Sequence, residues 1–269
     1  MRMGVVEFLN TQPIIAGLDR CASVSLTHAV PSQLVGLLER DEVDVALCSS
    51  IDYLRASCPT VVLSAPSLGC CGPTKTVRLY STRSFDSIQV VHCDTDSHTS
   101  VILLQVLWRE LYGRAVEVQP FDAASASGAW PDSVLLIGDK VVTNAPPVEH
   151  YDHQIDLGEA WHDLTGLPFV FGLWLARADG SSELHRSVMT VLDRQYRYNQ
   201  LHIETLVARE SKRRNWPPAL VREYFESGMH YAFGSQQHAG LQRFFALAGE
   251  HGLVNVERPL EIIEPLAVG

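Results

Sequence analysis

The chain has 269 residues, 46% of them hydrophobic and 19% charged, with a formal net charge of −10. This length and composition suit a large globular core and exclude a disordered chain. The negative balance argues against nucleic acid or an anionic membrane as the main partner, and no stretch approaches the length of a membrane span.

The first predicted element is a short buried strand within Gly4-Val5-Val6-Glu7-Phe8-Leu9, followed by the polar turn Asn10-Thr11-Gln12-Pro13 and a helix start. Asn10 and Thr11 are good N-cap types, and Pro13 suits a first helical turn because it lacks an N–H. Such a junction directs free backbone N–H groups at one spot and favours an anion there, although the same pattern also fits an ordinary capped helix. The amino end shows no secretory leader, because its apolar run is cut by Glu7 and Asn10, so a cytoplasmic protein is expected.

Alternation over 23–30 predicts a second strand, and Pro31-Ser32-Gln33 opens a helix with Leu34, Leu37 and Leu38 on one face. A third strand over 43–47 ends at Ser49-Ser50, either of which could cap a helix at 51–54. This β-α-β-α-β-α order requires a parallel sheet with right-handed crossovers. Strands are then expected over 60–64 and 76–81, separated by a stretch rich in Gly, Pro and Cys. A second α/β unit follows: a strand over 88–93, a polar turn 94–100, a helix over 101–112, and strands at 116–118 and 133–139. Between the last two, 123–130 is small and expected to be flexible. A long apolar strand over 169–176 leads back to the first unit, and apolar spacing predicts helices over 184–206, 217–231 and 240–251.

Six cysteines match no zinc spacing, and a chain of this size does not need a disulfide scaffold, so mostly buried thiols are expected. The eleven histidines show no HExxH or other ligand spacing, and there is no Gly-rich phosphate loop or nucleotide fingerprint. Neither a metal nor another cofactor is therefore expected.

Five stretches carry a family resemblance: Phe8-Leu9-Asn10-Thr11-Gln12-Pro13; Asp44-Val45-Ala46-Leu47-Cys48-Ser49-Ser50; Ser97-His98-Thr99-Ser100; Leu136-Ile137-Gly138-Asp139-Lys140; and Leu157-Gly158-Glu159-Ala160-Trp161 running on to Gly172. Together they resemble the chorismate dehydratase branch of the menaquinone biosynthesis family of the futalosine route. The last hundred residues match no motif. Glu7-Phe8 and Gly72-Pro73-Thr74-Lys75-Thr76-Val77 depart from the family's usual segments.

The resemblance implies a two-lobed periplasmic-binding-protein-like type II α/β fold with a ligand cleft between the lobes. Lobe one would be 1–83 plus 171–269, and lobe two 84–170. It also implies a lyase that removes water from chorismate to give 3-[(1-carboxyvinyl)oxy]benzoate. Competing possibilities are a 1,4-dihydroxy-6-naphthoate synthase-like enzyme and a non-catalytic small-anion binding protein. In such a cleft, strand ends and helix starts would present Thr11, Ser49, Ser50, Thr76, Ser97, Thr99 and Ser100 to the substrate, with Asn10 and Asp139 as catalytic candidates. Hydroxyls and helix N-termini can hold carboxylates without Lys or Arg. Ser97 to Ser100 could equally serve only as caps, and Asp139-Lys140 as a strand-end turn. His98 is a possible base by type, and Lys75 could meet a carboxylate.

Overall fold

A computed structural model describes residues 1–123 and 130–265. The chain opens with β1 (Arg2–Val5), buried after its first residue. A 3-10 turn over Leu9–Thr11 leads into the short helix α1 (Gln12–Ile15), with Pro13 in its first turn. β2 (Ser25–His28), α2 (Pro31–Glu39), β3 (Val45–Ser49) and α3 (Asp52–Arg55) follow. β1 pairs in parallel with both β2 and β3, as the alternating order requires.

β4 (Thr60–Cys70) is longer than expected. Proline breaks a regular ladder because it donates no hydrogen bond, but here the register of β4 shifts between Leu63 and Leu68, around Pro66. The Pro66 carbonyl accepts from Trp174 Nε1 at 2.9 Å. β5 (Val77–Ser81), β6 (Val90–Asp94), α4 (His98–Tyr112), β7 (Glu117–Phe121), β8 (Ser133–Ile137), α5 (Lys140–Thr143), β9 (His153–Asp156) and α6 (Leu157–Thr165) form the middle of the chain. Residues 124–129, within the stretch expected to be flexible, lie outside the described residues.

β10 (Phe169–Arg177) returns to the first sheet, antiparallel to both β3 and β4. Helices α7 (Ser182–Leu201), α8 (Ile203–Arg214) and α9 (Pro218–Glu223), a π-helical turn Tyr224–Gly228, α10 (Ser235–Glu250) and the short β11 (Ile262–Ile263) complete the chain. The helix expected over 184–206 is two helices meeting near His202, and 217–231 narrows to α9 and the π turn.

The first sheet has the order β11-β4-β10-β3-β1-β2 and the second β7-β6-β8-β5-β9. The expected lobe boundary after residue 83 is corrected by the pairing of β5, which lies between β8 and β9 in the second sheet. The chain crosses between sheets over 71–76, before that strand begins. Trp161, Phe169 and Phe244 stack edge to face with centroids 4.9–6.0 Å apart, tying α6, β10 and α10 together. All six cysteines are free; Cys48, Cys70 and Cys93 are buried, and Cys71 is exposed.

Candidate active site

A cavity is lined by residues of both sheets. From the first come Val6 and Asn10 after β1, Ser49 at the end of β3, Leu68 of β4 and Gly172 of β10. The second contributes Val77 at the start of β5, Ile137 and Gly138 at the end of β8, and Ser97 and Ser100 at the start of α4. Carboxyl ends of parallel strands converge here, where open α/β sheets place ligands.

Five expected residues line the cavity: Asn10, Ser49, Thr76, Ser97 and Ser100. Thr74 lines it as well, and none of the lining side chains is charged. Ser97 caps α4, accepting from Ser100 N–H at 3.2 Å with its Oγ 3.1 Å from Ser100 Oγ. It is therefore a cap that also borders the cleft. The first-turn N–H groups of a 15-residue helix have no acceptor within the helix, so this end of α4 favours an anion.

A model of the menaquinone biosynthesis family matches residues 1–250. The chain belongs to that family. It is 26% identical over 264 residues to the chorismate dehydratase of Thermus thermophilus, covering 88% of this chain and 96% of the relative. Among solved structures it is similar to AF1704 from Archaeoglobus fulgidus, with a TM-score of 0.75 at 15% identity, covering 94% of this chain and 98% of the other. The periplasmic aliphatic sulphonate binding protein SsuA from Escherichia coli superposes with a TM-score of 0.64 at 16% identity, over 96% of this chain and 94% of the other. This family member thus has a periplasmic-binding-protein-like α/β fold. Among the described residues no helix is long and apolar enough to cross a membrane.

Four expected site residues do not line the cavity in this family member. Thr11, fully buried, directs its hydroxyl at the Val6 and Phe8 carbonyls (2.7 and 2.8 Å), so it ties the turn rather than capping α1 or facing a ligand. Ser50 and Thr99 meet each other across the sheets, Oγ to Oγ1 at 3.2 Å, and Thr99 Oγ1 also accepts from Ile51 N–H. Neither Ser49 nor Ser50 caps α3. Asp139, a catalytic candidate by residue type, is engaged elsewhere: its carboxylate accepts from Leu9 N–H at 3.1 Å and pairs with Arg214. Burial pushes the Asp139 carboxyl above the ordinary range, against the pull of Arg214 and the Leu9 N–H. The group thus joins the end of β8 to the first turn and to α8.

His98 and Lys75 are also engaged away from the cavity. His98 Nδ1 lies 2.7 Å from Asp52 Oδ1, and burial raises the Asp52 carboxyl despite that bond. Lys75 pairs with Glu223.

The crossover 71–76 is held by a group outside every expected set. Asp156, 2% exposed, accepts from Thr74 N–H, Thr74 Oγ1, Lys75 N–H and the Gly158 and Glu159 N–H groups that begin α6. Thr74 Oγ1 in turn accepts from the Thr76 and Val77 N–H groups. One carboxylate thereby sets both a helix start and the segment that carries Thr76. Gly138, also unforeseen, has φ +64 beside the Phe8 ring, a left-handed conformation in the Leu-Ile-Gly-Asp string that only its glycine could have signalled.

Proposed function

We propose that this protein is a chorismate dehydratase, a lyase that removes water from chorismate to give 3-[(1-carboxyvinyl)oxy]benzoate for menaquinone synthesis by the futalosine route. The observation that carries this reading is a cleft lined by hydroxyls, an amide and a helix start, without a charged side chain, in a member of the menaquinone biosynthesis family. The similarity to the Thermus thermophilus chorismate dehydratase supports it. In this reading the two sheets are the two lobes of the fold, and the enzyme acts in the cytoplasm.

The ring hydrogen at C3 of chorismate is acidic through a conjugated double bond to the ring carboxylate. Its removal and loss of the C4 hydroxyl produce a benzene ring, and aromatisation drives the reaction. The α4 start, with Ser97 and Ser100, would hold one carboxylate. Ser49 and Thr76 would face the other polar groups of the substrate, and Asn10 would orient the reacting ring through its amide. With Asp139 engaged by Arg214 and Leu9, the substrate's own enolpyruvyl carboxylate is the preferred base. It takes the C3 proton, the C3–H electron pair becomes the new ring double bond as the C4–O pair leaves with the oxygen, and the protonated carboxyl returns that proton to the oxygen, which departs as water.

Incubation of the purified protein with chorismate, followed by mass spectrometry, tests the reading. A product lighter by one water, with the ultraviolet spectrum of a substituted benzoate, is expected. Chorismate that remains intact while raising the melting temperature would overturn it in favour of a small-anion binding protein, the reading that the likeness to SsuA supports.

A further inference from the structure

The chain passes from the first sheet to the second over 71–76, and a residue there takes a backbone shape that L side chains rarely adopt. Lys75 has φ +66 and is not a glycine. The residue after it, Thr76, lines the cleft. Whatever holds Lys75 in that shape therefore decides where the Thr76 hydroxyl stands.

Hydrogen-bond counting identifies the holder. Thr74 N–H reaches Asp156 Oδ1 at 2.9 Å, and Lys75 N–H reaches Asp156 Oδ2 at 2.7 Å. Thr74 Oγ1 donates to Asp156 Oδ2 at 3.0 Å and accepts from the N–H groups of Thr76 at 3.1 Å and Val77 at 2.9 Å. Each backbone donor of 74–77 thus has its acceptor, either the carboxylate or a hydroxyl that the carboxylate orients. Successive N–H groups around a left-handed residue form a concave nest that suits an anion. Here the anion belongs to the protein itself: it is 2% exposed and is delivered by the end of β9. The carboxyl-terminal helices close on the same segment from another side. Lys75 Nζ pairs with Glu223 of α9, and Tyr224 Oη lies 2.6 Å from Thr76 Oγ1.

We propose that Asp156 is a positioning residue for the cleft. It fills the nest, holds Lys75 left-handed and fixes Thr76 through Thr74, so that this wall offers a substrate the Thr76 hydroxyl and no free N–H of 74–77. The start of α4 differs, because its first-turn N–H groups have no acceptor within the helix. The two walls are then chemically unlike, and a substrate enters in one orientation, with its backbone-bound anion at α4 and a hydroxyl-bound group at Thr76. That the substrate is chorismate rests on the dehydratase reading; the hold of Asp156 on the crossover does not.

T74V keeps the shape of residue 74 and removes its hydroxyl, leaving Asp156 its backbone donors at α6. In amide hydrogen exchange, Thr76 and Val77 are expected to exchange about tenfold faster in T74V and in D156N, while in T74V Gly158 and Glu159 keep their wild-type rates. Unchanged rates at Thr76 and Val77 overturn the proposal whatever the substrate. Lys75 supplies the second test. K75G and K75A both lose the pair with Glu223, and glycine alone takes φ +66 freely. With chorismate, D156N is expected to lower kcat/KM about tenfold to a hundredfold, chiefly through KM, and D156N/K75G to recover about threefold to tenfold over D156N/K75A. Equal values for the two double variants would overturn the link between the left-handed residue and the cleft and leave Asp156 with the capping of α6 alone. Wild-type protein that does not dehydrate chorismate would defeat the dehydratase reading, while the exchange rates would still decide the hold of Asp156 on the crossover.

Discussion

Asp139 shows how a side chain of suitable chemistry is claimed by its surroundings. A carboxylate at the end of a strand beside a cleft is a natural base by residue type, yet here it accepts from Leu9 N–H and meets Arg214, which also binds Glu210 and the Glu7 carbonyl. Asp139→Asn keeps an oxygen for Leu9 and removes the charge opposite Arg214. The variant is expected to retain chorismate turnover within about tenfold and to lose about 1–3 kcal/mol of stability, read by urea denaturation. Loss of turnover with chorismate binding intact would return Asp139 to the role of base. Asn10 contrasts with it, since its carbonyl oxygen is buried and unclaimed among the described residues. What engages Asp139 is Arg214, which sits in a part of the sequence without a recognisable motif.

Two helix starts carry most of the site's precision. Ser97→Ala removes the cap of α4 and a hydroxyl of the cleft together; a stability loss of about 1 kcal/mol and weaker chorismate binding by calorimetry are expected. At α6, Gly158 packs so closely on the crossover that an added Cβ would meet Thr74 Cγ2 at 2.4 Å, Cys70 Sγ at 2.6 Å and the Gly72 carbonyl at 2.8 Å. Gly158→Ala is therefore expected to cost about 1–3 kcal/mol or more in denaturation and to lower kcat/KM by displacing Thr76. The sequence made these elements visible because α4 and the strands before it show clear periodicity and polar ends. Periodicity could not show that β5 leaves the first sheet, since an apolar strand looks alike in either sheet and only its partners β8 and β9 decide. Nor could it separate Ser49, which borders the cleft, from Ser50, which turns to Thr99, because adjacent residues at a strand end point in opposite directions. Asp156 was hidden for a related reason: four of its five donors are backbone N–H groups, which leave no trace in residue type.

At the scale of the molecule, polar bonds between elements of the two sheets join its halves: Asp52 to His98, Ser50 to Thr99 and Leu9 to Asp139. Asp52, at 1% exposure, has a carboxyl raised by burial above the unfolded value. The folded state then binds the proton more readily, so this group's contribution to stability is complete below the unfolded pKa and is lost as pH rises through the folded one. Asp52→Asn, which cannot ionise, is expected to gain on the wild type as pH is raised from the acid side through that window, seen in urea midpoints measured at successive pH values. A stability difference independent of pH would show that Asp52 ionises as freely in the fold as outside it. The order of the first sheet has a consequence for synthesis. β10 lies between β4 and β3, so the ribosome must deliver Arg177 before the two parts of that sheet, begun at Arg2, can be joined. The second sheet is drawn from one uninterrupted stretch, Val77 to Asp156, and is fully translated earlier. A nascent chain stalled between these points holds a completed later half and an earlier half with β3 bare along one edge and β4 along both, since β11 is made later still, the state in which it most needs a chaperone.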